Sequence, residues 1–160
     1  TKDGANVSMS IAAKTAGGKI FVESIDCRSV RHGNDWIVAW LKQADVGSVV
    51  IDGANGQQLL ADAMKEAKIK TKPILPTVKE IIIANSSFEQ RLCSKELRHM
   101  GQPSLMQSAS NCEKRAIGSS GGFGYKSISD DADISLLDSV ILAQWICGTY
   151  KEPKRQRVRC

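Results

Sequence analysis

The stretch Ser48–Gly56, SVVIDGANG, constrains this chain more than any other. A short β-branched run ends on an acid, and Gly53 and Gly56 follow it. Beyond them Leu59, Leu60, Ala63, Met64 and Ala67 recur at helical spacing in GQQLLADAMKEAK. Strand, turn and helix in that order belong to a sheet with helices packed on it. In such sheets a ligand usually sits beyond the carboxyl ends of the parallel strands. Asp52 stands at that kind of edge, so it either caps the next helix or points at something positive.

The flanking segments fit the same architecture. NVSMSIAAKT and KIFVESIDCRSV read as strands joined by AGG, a hairpin signal. NDWIVAWLKQA reads as a helix with Asn34 as N-cap and Trp36, Val38, Ala39, Trp40 and Leu41 mostly on one face. IKTKPILPT is a short extended piece closed by Pro76. Thr77 is placed to cap a helix from Val78 to about Leu97, and RHMGQPSL breaks that helix. GSSGGFGYKSISDDADIS reads as a loop of Gly, Ser and Asp. It leads into an apolar helix carrying Ile134, Leu137, Ile141, Leu142 and Trp145. The expectation is a single α/β domain over 1–150, a mixed sheet flanked by helices, followed by a basic tail over 151–160.

Composition narrows the function classes. With 160 residues the chain is long enough for a real core, and 42% hydrophobic against 24% charged excludes a disordered one. No apolar run reaches the roughly 20 residues of a membrane helix, and no signal-peptide pattern opens the sequence. The net charge of +5 permits a polyanionic partner. Much of it comes from Lys151, Lys154, Arg155, Arg157 and Arg159, the pattern of a solvated end. Cys27, Cys93, Cys112, Cys147 and Cys160 show no CxxC spacing, so a zinc cage is not expected and reduced cytosolic thiols are. Cys147 reads as a small core residue. His32 and His99 lack a nucleophile context, which argues against a triad hydrolase. GSSGGFG lacks the phosphate-loop pattern and reads as a flexible loop, or as one that moves over a site with Lys126 reaching a phosphate.

Three acidic clusters carry the chemistry that remains: Asp3 in TKDG, Asp52 in VVIDG, and Asp130, Asp131 and Asp133 in SDDADIS. Hard divalent cations take oxygen ligands, and a two-metal phosphodiesterase needs several acids converging from different elements. Each acid also has a plain reading. Asp3 suits a turn, Asp52 a cap before Gln57, and Asp130 or Asp131 an N-cap with Asp133 in the first turn. Asp138 lies off the helix face of Asp133 and is not expected to share its metal.

Taken together, VVIDGANGQQLL, LPTVKEIIIANSSFEQRL, LRHMGQPSL and DDADISLLDSVILAQW resemble the C-terminal nuclease domain of the large terminase subunit of tailed bacteriophages. The resemblance runs from about Lys2 to Trp145. It implies an RNase H-like fold, acids holding two Mg²⁺ or Mn²⁺ ions, and endonucleolytic cutting of concatemeric viral DNA during packaging. Asp52 matches the acid ending the family's fourth strand. Asp133 matches the acid that opens the last helix, with Asp131 a close competitor and Asp138 a weaker one. The first acid belongs on an opening strand; TKDG reads as the turn after such a strand, with Asp3 just past its end and Asp26 as the fallback.

The expected catalytic set is thus Asp52, Asp133 and Asp3, with Asp131 added among the metal ligands, and Lys126, Arg115 and His99 contacting double-stranded DNA. No Walker pattern occurs, so the terminase ATPase motor is not in this chain. The implied partners are that ATPase domain, the small terminase subunit and the portal protein, in the cytoplasm of an infected bacterial host. The rivals are a non-catalytic DNA- or portal-binding assembly module and another RNase H-like nuclease, such as a junction resolvase or transposase.

Overall fold

A computed structural model describes residues 5–53, 56–118 and 121–150. β1 (Asn6–Lys14) and β2 (Ile20–Ser29) form the expected antiparallel hairpin, with Lys14 opposite Ile20 and a register shift between Met9 and Ser10. The turn closes by Thr15 N–H donating to Lys19 O at 2.8 Å. Along β2, Ile20, Val22 and Ser24 alternate inward, the period of a strand with one face on the core. α1 (Asp35–Gln43) follows, burying Ile37 and Leu41 one turn apart; Asn34 holds the N-cap position but makes no side-chain cap bond. β3 (Val49–Val50) enters α2 (Gln57–Glu66) and pairs in parallel with β4 (Pro73–Ile74).

α3 (Val78–Cys93) begins at the predicted cap. Thr77 Oγ1 accepts from Glu80 N–H, and Glu80 Oε2 accepts from Thr77 N–H at 2.8 Å, a reciprocal capping box. The helix stops four residues short of the expected Leu97. Lys95 turns into the left-handed region at φ 56, while Glu96 N–H returns to Arg91 O and Lys95 N–H to Leu92 O. That is a Schellman ending, usually marked by glycine. α2 ends the same way at Lys68, φ 58. With lysine in the position, neither stop was visible in the sequence.

The released chain forms β5 (Leu97–Arg98), parallel to the start of β2, and then α4 (Pro103–Ser110), with Pro103 in its first turn. The expected loop over GSSGGFGYKSISDDADIS is in part a strand. β6 (Cys112–Ile117) and β7 (Gly122–Ser127) form an antiparallel hairpin across it. Two of its glycines, Gly122 and Gly124, serve close packing. A Cβ on Gly122 would lie 2.5 Å from Ile82 Cδ1, and one on Gly124 2.7 Å from Ile117 Cδ1.

α5 (Ser135–Thr149) is the hub. Leu137, Val140, Ile141, Leu142, Ala143, Gln144 and Trp145 are all buried, so the helix is covered on every side rather than on one stripe. Gln144, 0% exposed, donates to Ala84 O at 3.1 Å and Ser87 Oγ at 3.0 Å and accepts from Arg91, which satisfies its amide inside the core. Cys147 is half-buried against the same core.

β1 to β5 lie in one layer between two helical layers, and the β6–β7 hairpin is a sheet of its own. Val7, Met9, Val49 and Ile51 pack with Ile37, Leu41, Leu60 and Met64 on the α1–α2 side. Ala12 and Val50 face the other way, toward α5. Within that layer the mixed sheet is ordered β1-β2-β5, and β3-β4 is a separate pair beside it. β1 and β3 therefore face each other without being bonded.

Candidate functional site

The space between β1 and β3 is a cleft of about 930 Å³, walled by the lengths of both strands and floored by α5. At its acidic end stands Asp52. Ile51 N–H donates to Ile74 O at 2.9 Å, the last rung of β3, so the next residue leaves the pair and its side chain is exposed. Gly53 then turns at φ 123 and its carbonyl accepts from Gly56 and Gln57. The N-cap of α2 is Gly56, with no side-chain cap bond. Asp52 is thus not the cap, and among the described residues it has no hydrogen-bond or ion-pair partner.

Asp138, half-buried in the first turn of α5, lines the same cleft. Arg115 of β6 lines it too, with Nε donating to Tyr125 O at 3.3 Å and no acidic partner among the described residues. The charged residues lining the cleft are Asp45 and Asp52 on either side of β3, Asp138 of α5, Lys14 of β1 and Arg115 of β6. Among the described residues no three of His, Cys, Asp and Glu gather as a metal-binding group.

Of this chain, 88% superposes on 38% of the HK97 bacteriophage large terminase, with a TM-score of 0.69 and 12% sequence identity. The chain has the fold of a phage large terminase domain. No protein-family model matches the sequence, and no curated protein matches it. The likeness covers under two fifths of the HK97 terminase and, at this identity, is one of fold. That fold is the RNase H-like mixed α/β arrangement.

Within this terminase-like fold the other sequence-predicted residues are dispersed. Asp133 Oδ1 accepts from Ser135 N–H at 2.7 Å and Oδ2 from Asn6 Nδ2 at 2.8 Å, with the Cys27 thiol 3.7 Å away. It ties the start of α5 to β1 and β2. Asp131 and Asp130 are exposed in the loop before it. Asp26 is bound to Arg28 at 2.7 Å, and that guanidinium hydrogen bond holds its carboxyl below the usual range. It borders a separate small pocket of about 250 Å³ with Gln102 and Ser104. Lys126 pairs with Glu113 at 2.8 Å, and exposed His99 accepts from Gly101 N–H at 3.1 Å. Asp3 and the tail 151–160 lie outside the described residues.

Asp138, the weakest match among the late acids in the sequence, lines the cleft, whereas Asp133 does not. α5 begins at Ser135, so Asp133 precedes the helix rather than sharing it, and nothing in the spacing said which side of α5 turns into the cleft. That depends on how α5 lies under β1 and β3, a tertiary fact.

The Asp133 carboxyl titrates below its ordinary value. Burial works against the charge, but hydrogen bonds from the Ser135 backbone and hydroxyl, the Asn6 amide and the Cys27 thiol outweigh it. The folded form therefore binds the proton less readily than the unfolded one. The resulting stabilisation is complete above about pH 4 and lost as pH falls through the lowered folded value. Asp133→Ala should cost about 1 kcal/mol at pH 7, the worth of a helix-start cap, and the cost should shrink toward zero near pH 2. Urea unfolding at the two pH values checks this; a penalty independent of pH would contradict it.

Proposed function

We propose that the chain is a metal-dependent DNA endonuclease of the large-terminase type, cutting concatemeric viral DNA during genome packaging in the cytoplasm of an infected bacterial host. The observation that carries this reading is Asp52. It is a carboxylate with no partner among the described residues, at the end of a parallel strand, lining one cleft with Asp138, in a fold shared with the HK97 bacteriophage large terminase.

The donor set fits one hard cation. Mg²⁺ or Mn²⁺ takes one or two carboxylates from the protein when phosphate and water supply the rest, and Asp52 with Asp138 offers two. A second ion needs further donors, for which Asp3, Asp131 and Asp133 stand as the reserve. A divalent cation here would lower the pKa of bound water and neutralise charge growing on the leaving oxygen. The chain's own residues bind and orient. Asp52 faces solvent, where a phosphodiester arrives, and its geometry needs no rearrangement because β3 fixes the backbone. Arg115 presents its terminal guanidinium nitrogens to a phosphate, and phosphate contacts give register without sequence preference. Lys126 and His99 extend that contact only where DNA displaces Glu113 or reaches the exposed turn. The ATPase domain, small subunit and portal protein would be the partners.

The test is nicking of supercoiled plasmid with Mn²⁺, Mg²⁺ or EDTA, alongside a thermal shift with Mn²⁺. Cutting in either metal and none in EDTA supports the nuclease. A preference for branched over linear DNA would move the reading to a junction resolvase. The lack of a three-acid group among the described residues favours a second reading, a non-catalytic DNA- or portal-binding module. No cutting and an unchanged Tm in Mn²⁺ would put that reading first.

A further inference from the structure

The charged side chains of the α/β layers divide between two poles. β1 follows α5 in direction: Ser8 Oγ donates to Ser135 O at 2.7 Å at the start of the helix, and Lys14 Nζ to Tyr150 O at 3.3 Å past its end. β2 is antiparallel to β1, and β5 is parallel to β2. β3 also begins at the far end of α5, where a Cβ on Gly47 would lie 2.8 Å from the Tyr150 ring, and Val50 packs nearer the middle with Leu137 and Ile141. β4 is parallel to β3. One pole therefore holds the last residues of β2 to β5, with Asp52 after β3 and Asp133 bonded to Asn6 at the start of β1. The opposite pole holds the first residues of the same strands and the ends of α1, α2 and α3 that lead into them.

That second pole carries lysine at each passage of the chain. Lys14 and Lys19 flank the β1–β2 turn, Lys42 closes α1, and Lys95 lies between α3 and β5. The segment from α2 to β4 carries most. Lys65, Lys68, Lys70 and Lys72 are exposed, while Ile69 packs against the core and Thr71 Oγ1 donates to Val46 O at 3.0 Å. Lys42 and Lys65 also answer the dipoles of the helices they close, but Lys70 and Lys72 belong to no helix. Asp45, Glu66 and Glu96 are the acids of this pole, and none of its lysines forms an ion pair among the described residues. Two of the lysines stand where the backbone disfavours them. Lys68 at φ 58 and Lys95 at φ 56 occupy the left-handed region, which glycine enters freely and a side chain enters at a cost. Among the described residues no other non-glycine residue has a positive φ, and both put a cation on this one pole. A helix stop needs the turn alone; the charge is surplus to it.

We propose that this lysine pole binds the phosphate backbone of double-stranded DNA, on the side of the molecule away from Asp52. Protein interfaces are depleted in lysine and anchored by aromatic or apolar groups. Of the large exposed hydrophobics among the described residues, only Leu92, in the last turn of α3, lies here. Lysines spread over a surface suit a polyanion instead, which asks for charge rather than fit. At the least four interstrand spacings separate β4 from β5, about 19 Å, so the pole faces five to six base-pair steps at about 3.4 Å each. From Gly47 to Asp52 the chain runs about 17 Å between the poles. A straight duplex held here is therefore a different length of DNA from the one presented to Asp52. The inference rests on the nuclease reading for the identity of the polyanion, and on the lysines for the site.

The experiment measures binding of a fluorescent duplex of about 30 base pairs in EDTA, from about 50 to about 200 mM salt. Tm and metal-dependent nicking are read on the same proteins. Lys68→Gly combined with Lys95→Gly is expected to weaken binding at least about tenfold and to lower the salt slope by about two, one for each lost phosphate contact. Its Tm should be unchanged or up to about 3 °C higher, since glycine relieves both turns. Lys70→Gln combined with Lys72→Gln should weaken binding as much. Lys79→Gln, which removes an exposed lysine from the first turn of α3 at the Asp52 pole, should lower the slope by less than about half a unit. Binding unchanged in both pairs, an equal loss in Lys79→Gln, or losses that track a lower Tm would overturn the assignment. So would tighter binding to poly-glutamate than to the duplex, since an acidic protein would then be the partner. Nicking with duplex binding indifferent to these lysines would sink this surface and keep the nuclease; lysine-dependent binding with no nicking in either metal would do the reverse.

Discussion

Asp52→Asn is expected to reduce metal-dependent plasmid nicking by at least about a hundredfold while leaving Tm unchanged within about a degree. The two halves of that outcome come from different features. Asp52 is exposed and has no partner among the described residues, so removing its charge breaks no fold contact. Asp52 and Asp138 line the same cleft, so under the proposed nuclease reading losing Asp52 removes one of the two carboxylates that would hold the cation. Asp138→Asn should show a similar loss with a small change in Tm, because that residue is half-buried. Asp133→Ala should do the reverse, affecting stability more than cutting. Nicking that survives Asp52→Asn would sink the assignment, and nicking that survives only Asp138→Asn would return the second carboxylate to Asp133 or Asp131.

The second large effect is on stability alone. Met64→Ala should cost about 2–5 kcal/mol in urea unfolding, the range for emptying a buried site of that size. Met64 is 1% exposed, on the inner face of α2, and packs with Ile37, Leu41, Ile51 and Leu60. The thioether fills the space over β3, so truncation leaves a void beside the strand that positions Asp52. Leu59, 68% exposed on the opposite face of the same helix, is the control, and Leu59→Ala should fall within about 0.5 kcal/mol. Equal costs at both positions would mean that α2 is not packed as described.

What was legible in the sequence follows from how local each signal is. The first hairpin, the entry of α3 at Thr77 and the apolar α5 all carry their pattern within a dozen residues, and each is where the spacing puts it. The two-residue strands β3, β4 and β5 have no period to read, and only the acid at the end of β3 marked it. The misses have physical causes. Lys95 takes a conformation glycine usually marks, so α3 appeared longer than it is. Gly122 and Gly124 mimic a loop, yet they are small because Ile82 and Ile117 press on β7. Ile37 outranks its neighbours Trp36 and Val38 for burial in α1, which depends on the layer above it. The position of Asp52 at a strand end was legible because an acid before glycine is a local feature. That Asp138 rather than Asp133 shares its cleft was not, since helix rotation about its own axis is set by contacts far away in sequence.

The central position of α5 has a bearing on how the protein is made. The helix emerges after every other described element, yet β1 hydrogen-bonds to its first turns across 127 residues of chain, and the core clusters of both β2 and α3 close on it. At about 5–20 residues per second, a ribosome takes roughly 7–27 s to reach Ser135 after starting Thr1. Throughout that interval the nascent hairpin carries an apolar face with nothing to cover it. The growing chain is therefore a natural client for chaperones that shield such surfaces, and a message broken before α5 yields a product fit for proteolysis rather than a smaller working domain.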